Sequence, residues 1–547
     1  ADKVRIQFEK WGKVDKHAVI FATGLADITF LKQLVLMVEP SVQIVIYEPS
    51  LTIFFEIMEN INLAFLFENR IPALIIDGMN GEEKRGIIDK LLGLSNIEYI
   101  KHYENINYCE LFKTQILDFL KKIDKRISDV LVGKNTQIRY SAVEMDNLFH
   151  NVKYLCNGSI TTQLCDIIPT DIPAIIVSAG PSLNKNILEL KNAKNKAFIV
   201  AVDTAVRPLV NAGIIPDMYV VVDGLKPKEL LDFDEAKKIP LMPSITSTKE
   251  ILQNHTGKKI FYFEGQNFIW SMMMMNGIPF STVSCGGSVA CSAFSLVYKL
   301  GFSRIILVGQ DLALTGNKTH ADGTFKSVMD EIDTSHCIKV PGNYEKEVPT
   351  RADFKLYLDW FNYYIEGCEE IHVINATEGG ARINNTEIMT LHDAIERECS
   401  KEVNIEECFE KLTPVFNEEQ RKKACQYLST FPEMYKKLKL KVTKLNKEYK
   451  KLKSICTKRE IDKKAYLRVL KNVEKLTKEI EKHELYETIL YTLPVANYII
   501  ESEQFYEEDN LREEGLEIAR QGIEYTKMVE KCIQLFIPLT EETLLTL

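Results

Sequence analysis

Residues 175–183, IIVSAGPSL, constrain the fold of this chain more than any other stretch. An apolar run of β type ends in Ser178-Ala179-Gly180-Pro181-Ser182, and a helical pattern starts directly after it. A buried parallel strand that hands a small-residue turn to a helix start leaves backbone N–H groups free to hold a phosphate. Strand–helix turns also carry Gly and Pro for packing alone, so the turn by itself is a weak signal. Support comes from a series of short apolar runs at 197–203, 218–223, 241–243, 259–263, 304–309 and 371–375. Such runs, separated by helical patterns, predict a parallel sheet covered on both faces.

The rest of the chain divides around this central α/β domain, set at residues 171–385. Residues 1–105 form an N-terminal Rossmann-like α/β domain, with strands expected at 18–22, 43–47 and 73–77, a possible fourth at 98–100, and a helix at 28–38. Its first turn, Ala22-Thr23-Gly24-Leu25, has one glycine where a dinucleotide fingerprint needs three, which favours a structural role although Glu48 follows the second strand. Residues 106–170 read as a helical connector and 386–547 as an all-helical C-terminal domain. There Met434, Leu438, Val442, Leu445, Tyr449 and Leu452 recur at helical steps, and Val469, Val473, Leu476 and Ile480 repeat the pattern after a break at 457–462. This pattern predicts two antiparallel amphipathic helices, with the many lysines forming a solvated face or, on the sharper reading, a docking surface.

Composition narrows the function. With 547 residues, 46% hydrophobic and 27% charged, the chain is ordinary globular material for several domains. A net charge of −9 argues against a nucleic-acid partner. The 12 cysteines include no C-x-x-C pair, so they read as reduced small hydrophobes of a cytoplasmic protein rather than metal ligands. No apolar run approaches the ~18 residues of a membrane span, so no membrane insertion is expected. The abrupt opening at Ala1-Asp2-Lys3 leads one to expect an upstream segment.

Ligands of open α/β sheets bind outside the carboxyl ends of the strands, so polar residues there are the site candidates. They are Ser178–Ser182; Asp203-Thr204; Asp223-Gly224; and Gly309-Gln310-Asp311, leading to the loop with His320. Cys285-Gly286-Gly287-Ser288 is a second small-residue turn that starts a helix. Two such turns on one rim suit a nucleotide phosphate. Asp203 and Asp223 serve equally well as caps. Asp311 and His320 stand on a polar loop after a buried strand, where function concentrates, and His336 has a similar but weaker setting. Met272–Met275 and the tryptophans Trp270 and Trp360 read as packing.

The order of these motifs resembles the motility accessory factor (Maf) family, bacterial proteins that put nonulosonic acids on flagellin. The resemblance is carried by SAGPSL, AVDTAVRPLVNAGIIPDMYVVVDG, CGGSVACSAFSLVYKLGFSRIILVGQDLALTGNKTHADGT and NATEGGARI, in family order over roughly 200 residues. The same core is similar to bacterial sialyltransferases with a GT-A-like, Rossmann-like fold that use CMP-sialic acid. That similarity implies nucleotide contacts at Ser178, Ala179, Gly180, Pro181, Ser182, Asp203, Thr204, Asn375, Thr377 and Glu378, to which the strand-end argument adds Asp223 and Gly224. It implies donor-sugar contacts at Cys285, Gly286, Gly287, Ser288, Gln310 and Asp311. The sialyltransferases carry a histidine just before the helix that starts near Ala352, where this chain has Pro349-Thr350-Arg351. The base must then come from His320, Asp311 or His336, or else Arg351 stands in that place to offset charge on the departing phosphate.

The resemblance implies an inverting transfer from a CMP-activated nonulosonic acid to Ser or Thr of flagellin. No cofactor is required and no metal cluster is indicated, although the aspartates could recruit a divalent ion. Two alternatives use the same core: a pterin pyrophosphokinase, and a non-catalytic flagellin chaperone.

Overall fold

The computed structural model describes residues 2–12, 14–15, 17–67, 71–93, 96–264, 268–325, 337–493 and 511–547. Its contacts separate two compact units, each discontinuous in sequence: Ala1–Ser141 with Lys437–Ile533, and Ala142–Lys436 with Gln534–Leu547. The fold is mixed α/β with parallel sheets and a helical C-terminal region, as the sequence predicts. No described helix is long and apolar enough to cross a membrane.

The first unit holds a parallel sheet of β1 (Val19–Thr23), β2 (Gln43–Glu48), β3 (Ala73–Ile76) and β4 (Lys101–Glu104), in the order β3-β2-β1-β4. Side chains alternate along each strand, so Ile20, Ala22, Ile44 and Ile46 pack under helix Ile28–Met37. Val19, Phe21, Val45 and Tyr47 face the opposite core with Ile116 and Phe119. The fourth strand begins later than expected: Ile97–Tyr99 is a 3-10 turn, and the pairing with β1 falls on the polar Lys101–Glu104. Aromatic contacts fix that register, since His102 stacks on Phe21 and Tyr103 on Phe30, on opposite faces.

The turn after β1 is closed by the chain itself. Gly24 has φ +87°, and the Tyr108 ring lies 2.7 Å from where a Cβ would stand. Glu48, fully buried, accepts hydrogen bonds from Leu25 N (2.8 Å), Ser50 N (2.9 Å) and Tyr108 Oη (2.8 Å). An acid that binds ribose in dinucleotide folds is here spent on the backbone of its own turn.

Helices Phe431–Cys456 and Lys463–Glu481 run antiparallel: Lys441 pairs with Glu479 at 3.4 Å, and Asn472 Nδ2 donates to Glu448 Oε2 at 3.1 Å. The break falls where the sequence places it, and Asp462 caps the second helix through Lys464 N and Ala465 N, each at 3.0 Å.

The second unit is built on a seven-stranded parallel sheet. Its strands are β6 (Ala174–Val177), β7 (Phe198–Val202), β8 (Met218–Val221), β9 (Leu241–Pro243), β11 (Arg304–Val308), β14 (His372–Asn375) and β15 (Glu387–Ile388), in the order β15-β14-β11-β6-β7-β8-β9. Strands β6 to β8 are buried at every residue, as a doubly covered sheet requires. The chain moves outward from β6 to β9, then returns to the other side of β6 at β11. The topological switch point therefore lies between β6 and β11.

The expected strand 259–263 does not join the seven. Its core, β10 (Ile260–Phe261), pairs with β5 (Ser159–Ile160), while single bridges link Ser244 to Tyr262 and Phe263 to Thr282. A small antiparallel pair, β12 (Ile338–Val340) with β13 (Val348–Thr350), completes the strands. From helix Lys113–Asn157, Asn147 Nδ2 donates to Gly224 O (2.9 Å) and Thr246 O (3.0 Å). One turn on, Asn151 Nδ2 donates to Ile245 O (2.9 Å) and Ser247 O (2.8 Å), so two amides at i, i+4 pin the loops after β8 and β9.

The C-terminal residues belong to this unit's core. Phe536 is fully buried, with its ring 5.6 Å from Phe149 and 5.8 Å from Tyr435, and Thr543 Oγ1 donates to Phe149 O at 2.9 Å. Phe536→Ala is expected to cost about 3–5 kcal/mol in a denaturant melt, as loss of a large core side chain does. A change under ~1 kcal/mol would mean the segment is not packed there. Acid has a second point of attack in buried His255, whose imidazole is pushed down to about 3 chiefly by burial. Its folded pKa lies below the unfolded value, so its stabilising contribution is complete above the unfolded pKa and falls as pH drops toward 3, by about 1.4 kcal/mol per unit. Replacing His255 by Phe is expected to flatten that slope in melts taken between pH 7 and 4.

Candidate functional site

At the switch point the turn after β6 is bound to the end of β11 along its length. Ser178 N donates to Val308 O and Gly180 N to Gly309 O, both at 2.8 Å, and Ser178 Oγ donates to Gln310 Oε1. Asp311, 3% exposed, accepts from Ser182 Oγ at 2.6 Å, Ser182 N at 3.2 Å and Thr315 Oγ1 at 2.7 Å. A Cβ on Gly180 would collide with Asp311 Oδ2 and Gly309 O, so only glycine lets the turn approach β11 this closely. The helix after the turn is short, Leu183–Asn186, and continues as a 3-10 turn. The Asp311 carboxylate thus already occupies the donors at which the sequence reading places a phosphate. Burial pushes this carboxyl up, against the opposing pull of Ser182 and Thr315.

The neighbouring strand ends converge on the same rim, several of them engaged internally. Asp203, 1% exposed, pairs with Lys226 Nζ at 2.8 Å and accepts from Thr204 N at 2.7 Å. Asp223 accepts from Leu225 N at 2.8 Å, and its carbonyl takes Thr248 N at 3.2 Å beside the pinned Gly224. Asn375 and Thr377 are buried: Thr377 Oγ1 accepts from Gln310 N at 3.1 Å and Asn375 Nδ2 donates to Asn343 Oδ1 at 3.1 Å. Glu378 Oε1 accepts from Asn186 Nδ2 at 3.0 Å and Leu391 N at 3.1 Å. The loop carrying His320 folds over the first turn, because Ala321 N donates to Ala179 O at 2.9 Å. His320 is half-buried there, with Nδ1 2.9 Å from Thr319 Oγ1.

The second turn is more open. Ser288 caps helix Val289–Lys299, its Oγ accepting from Cys291 N at 3.3 Å. This helix crosses back toward β11 antiparallel to the strands, so its N-terminus lies at the rim formed by their carboxyl ends. Cys285 and Gly287 are exposed as residues, and Gly287 has φ +83°. A Cβ on Gly286 would meet the Trp360 ring, which lies flat against the turn and stacks on Tyr364 at 4.5 Å. Trp360 is half-buried rather than core: with Phe354 and Tyr357 it shows a partly exposed aromatic edge of helix Ala352–Glu366 beside Gly286 and Gly287.

Of the other catalytic candidates, Arg351 is exposed, holds Asp353 through Nε at 3.0 Å and lies over Phe354. His336 lies outside the described residues. One rim residue escaped the sequence reading. Glu264 follows the β10 segment next to Tyr262, Ser244 and Cys285, and burial pushes its carboxyl up. Its signal was an acid directly after the expected strand 259–263, in the same position as Asp203, Asp223 and Asp311 after theirs.

Comparison with known proteins places this geometry. Residues 146–317, which span β6 to the end of β11, match the MptE-like family, 6-hydroxymethylpterin diphosphokinase MptE-like. An uncharacterized protein of Treponema pallidum (strain Nichols) is 32% identical over 89 residues, 16% of this chain and 41% of that protein. The chain therefore matches about two fifths of that relative's length. The fold is similar to that of the solved MAf glycosyltransferase from Magnetospirillum magneticum AMB-1, with a TM-score of 0.57, 15% identity, and coverage of 96% of this chain and 81% of that one. The resemblance to Maf proteins read from the motifs holds at the level of fold.

The clamp at the switch point is open to test. Asp311→Ala strands the Ser182 and Thr315 donors in the interior and is expected to cost about 2–5 kcal/mol in urea melts. Asp311→Asn keeps one acceptor oxygen and is expected to lose about half as much. Equal, negligible losses in both would show that the carboxylate does not hold the turn.

Proposed function

We propose that this chain is a glycosyltransferase that moves a nonulosonic acid from its CMP-activated form to Ser or Thr hydroxyls of flagellin in the bacterial cytoplasm. The observation that carries the reading is the fold, similar over 96% of the chain to a solved glycosyltransferase, with two small-residue turns on the rim of its central sheet. The nucleotide lies across that rim. Because Asp311 supplies the negative charge at Ser182, the donor phosphate falls to the open turn at Gly286–Ser288, where backbone N–H groups and the start of an eleven-residue helix favour an anion. The loop of His320 closes the first turn from above, and the aromatic edge beside Gly286 offers a flat apolar wall to a base or sugar ring. The reaction is a single inverting displacement at the anomeric carbon, with CMP leaving and the hydroxyl proton passing to a rim side chain.

A second reading is favoured by the family match over residues 146–317: transfer of a diphosphate from ATP to a hydroxymethylpterin. Calorimetric titration of CMP, UDP and Mg-ATP into the full chain and a Gly287→Trp variant separates the two. CMP binding at least 10-fold tighter than UDP or ATP, lost in the variant at unchanged melting temperature, is the expected outcome. Preferential binding of Mg-ATP would overturn the glycosyltransferase reading in favour of the diphosphokinase.

A further inference from the structure

The helical hairpin of residues 431–481 gathers positive charge that the rest of the chain lacks. Residues 436–482 hold 16 lysines and 2 arginines against 6 acids, in a chain whose net charge is −9. Each helix buries one face. On Phe431–Cys456, Leu438, Val442, Leu445, Tyr449 and Leu452 are at most 1% exposed, and on Lys463–Glu481, Tyr466, Val469, Val473 and Ile480 are buried. The opposite faces are outermost.

On both outer faces an exposed leucine stands among lysines. Leu440, 65% exposed, follows Lys437 by three residues and precedes Lys444 and Lys447 on the same face. Leu467, 63% exposed, follows Lys464 by three residues and precedes Lys471 and Lys475. These six lysines are all exposed. The ion pairs of the hairpin use others, namely Lys436, Lys441, Lys451 and Lys478, so the six carry none among the described residues. The cross-links Lys441–Glu479 and Asn472–Glu448 set the helices side by side, with both buried faces below and both lysine rows above. They place Leu440 opposite Ile480 and Leu467 opposite Lys453, so the leucines stand about 20 Å apart at the two ends of one basic face.

We infer that this face of the hairpin docks on an anionic lipid bilayer, with the lysines on head-group phosphates and Leu440 and Leu467 at the boundary with the acyl chains. Ammonium groups on long flexible stems suit a fluid surface that presents negative charge without fixed geometry. An acidic protein favours arginine, whose planar fork grips carboxylates, and lysine is depleted from protein interfaces. A nucleic acid offers the lysines phosphates but gives two leucines among them no apolar partner. The contact is peripheral, because the buried faces of both helices are spent on packing and no described helix is long and apolar enough to cross a membrane.

The test is co-sedimentation of the full chain with vesicles of phosphatidylcholine alone and of an equal mixture with phosphatidylglycerol, at physiological ionic strength. Wild type is expected to pellet with the mixed vesicles and to stay in solution with the neutral ones. A triple variant, Lys437→Gln with Lys444→Gln and Lys447→Gln, is expected to bind the mixed vesicles ~10²-fold more weakly. A double variant, Leu440→Ser with Leu467→Ser, keeps every charge and is expected to lose ~10-fold. All six positions are exposed, so both variants are expected to melt as wild type does. Failure of wild type to pellet with the mixed vesicles would overturn the inference, as would wild-type binding by either variant. Tighter binding of poly-glutamate or duplex DNA than of the mixed vesicles would overturn it too, and assign the face to an acidic protein or a nucleic acid. Sugar transfer plays no part in the readout, so the glycosyltransferase reading stands or falls separately.

Discussion

Everything at the rim of the central sheet depends on one buried carboxylate. Asp311 stands at the end of β11 and accepts from both the backbone and the hydroxyl of Ser182, 129 residues earlier in the chain. It joins the two strands between which the sheet reverses its order of travel. With Gly180 pressed against β11 and the Ala321 loop drawn over Ala179, the turn after β6 is a rigid floor rather than an empty cradle. Charge that a bound phosphate would bring to this turn is supplied by the protein. The turn at Gly286–Ser288 is more open, and its surroundings differ in kind, with an aromatic edge of helix Ala352–Glu366 lying against it.

Much of this was legible in the sequence because the central strands are uninterrupted apolar runs ending in small or polar residues. Strands buried on both faces write themselves that way, so β6, β7, β8, β9, β11 and β14 stand where the pattern puts them. The paired helices near the C-terminus were equally plain, since four- and three-residue apolar steps stop at 457 and resume after Asp462. Short pairings were not legible. β5 and β15 are two residues each, too brief for any periodicity, and β4 is Lys-His-Tyr-Glu, placed by aromatic stacking that only the tertiary fold supplies.

The site was legible in outline and not in its division of labour. An acid after a buried strand reads the same whether it faces a ligand or a backbone amide. Asp203 turned out to be paired with Lys226, Glu48 to be spent on the turns around it, and Asp311 to be the clamp itself. Trp360 reads as packing in the sequence, yet its half-buried ring lies on a glycine turn. Glu264 follows the expected strand 259–263 just as the other acids follow theirs, yet that strand joins a side ladder. In each case the deciding partner is far away in sequence, which is the information that local patterns lack.

The central claim is that a nucleotide is held at the rim of the seven-stranded sheet and not by the N-terminal sheet. Hydrogen–deuterium exchange of the full chain with and without CMP tests it most directly. Slower exchange in peptides covering 178–186 and 283–292, with none in peptides covering 18–50, is the result this account predicts. Protection around Gly24 and Glu48, with the central turns unchanged, would contradict it.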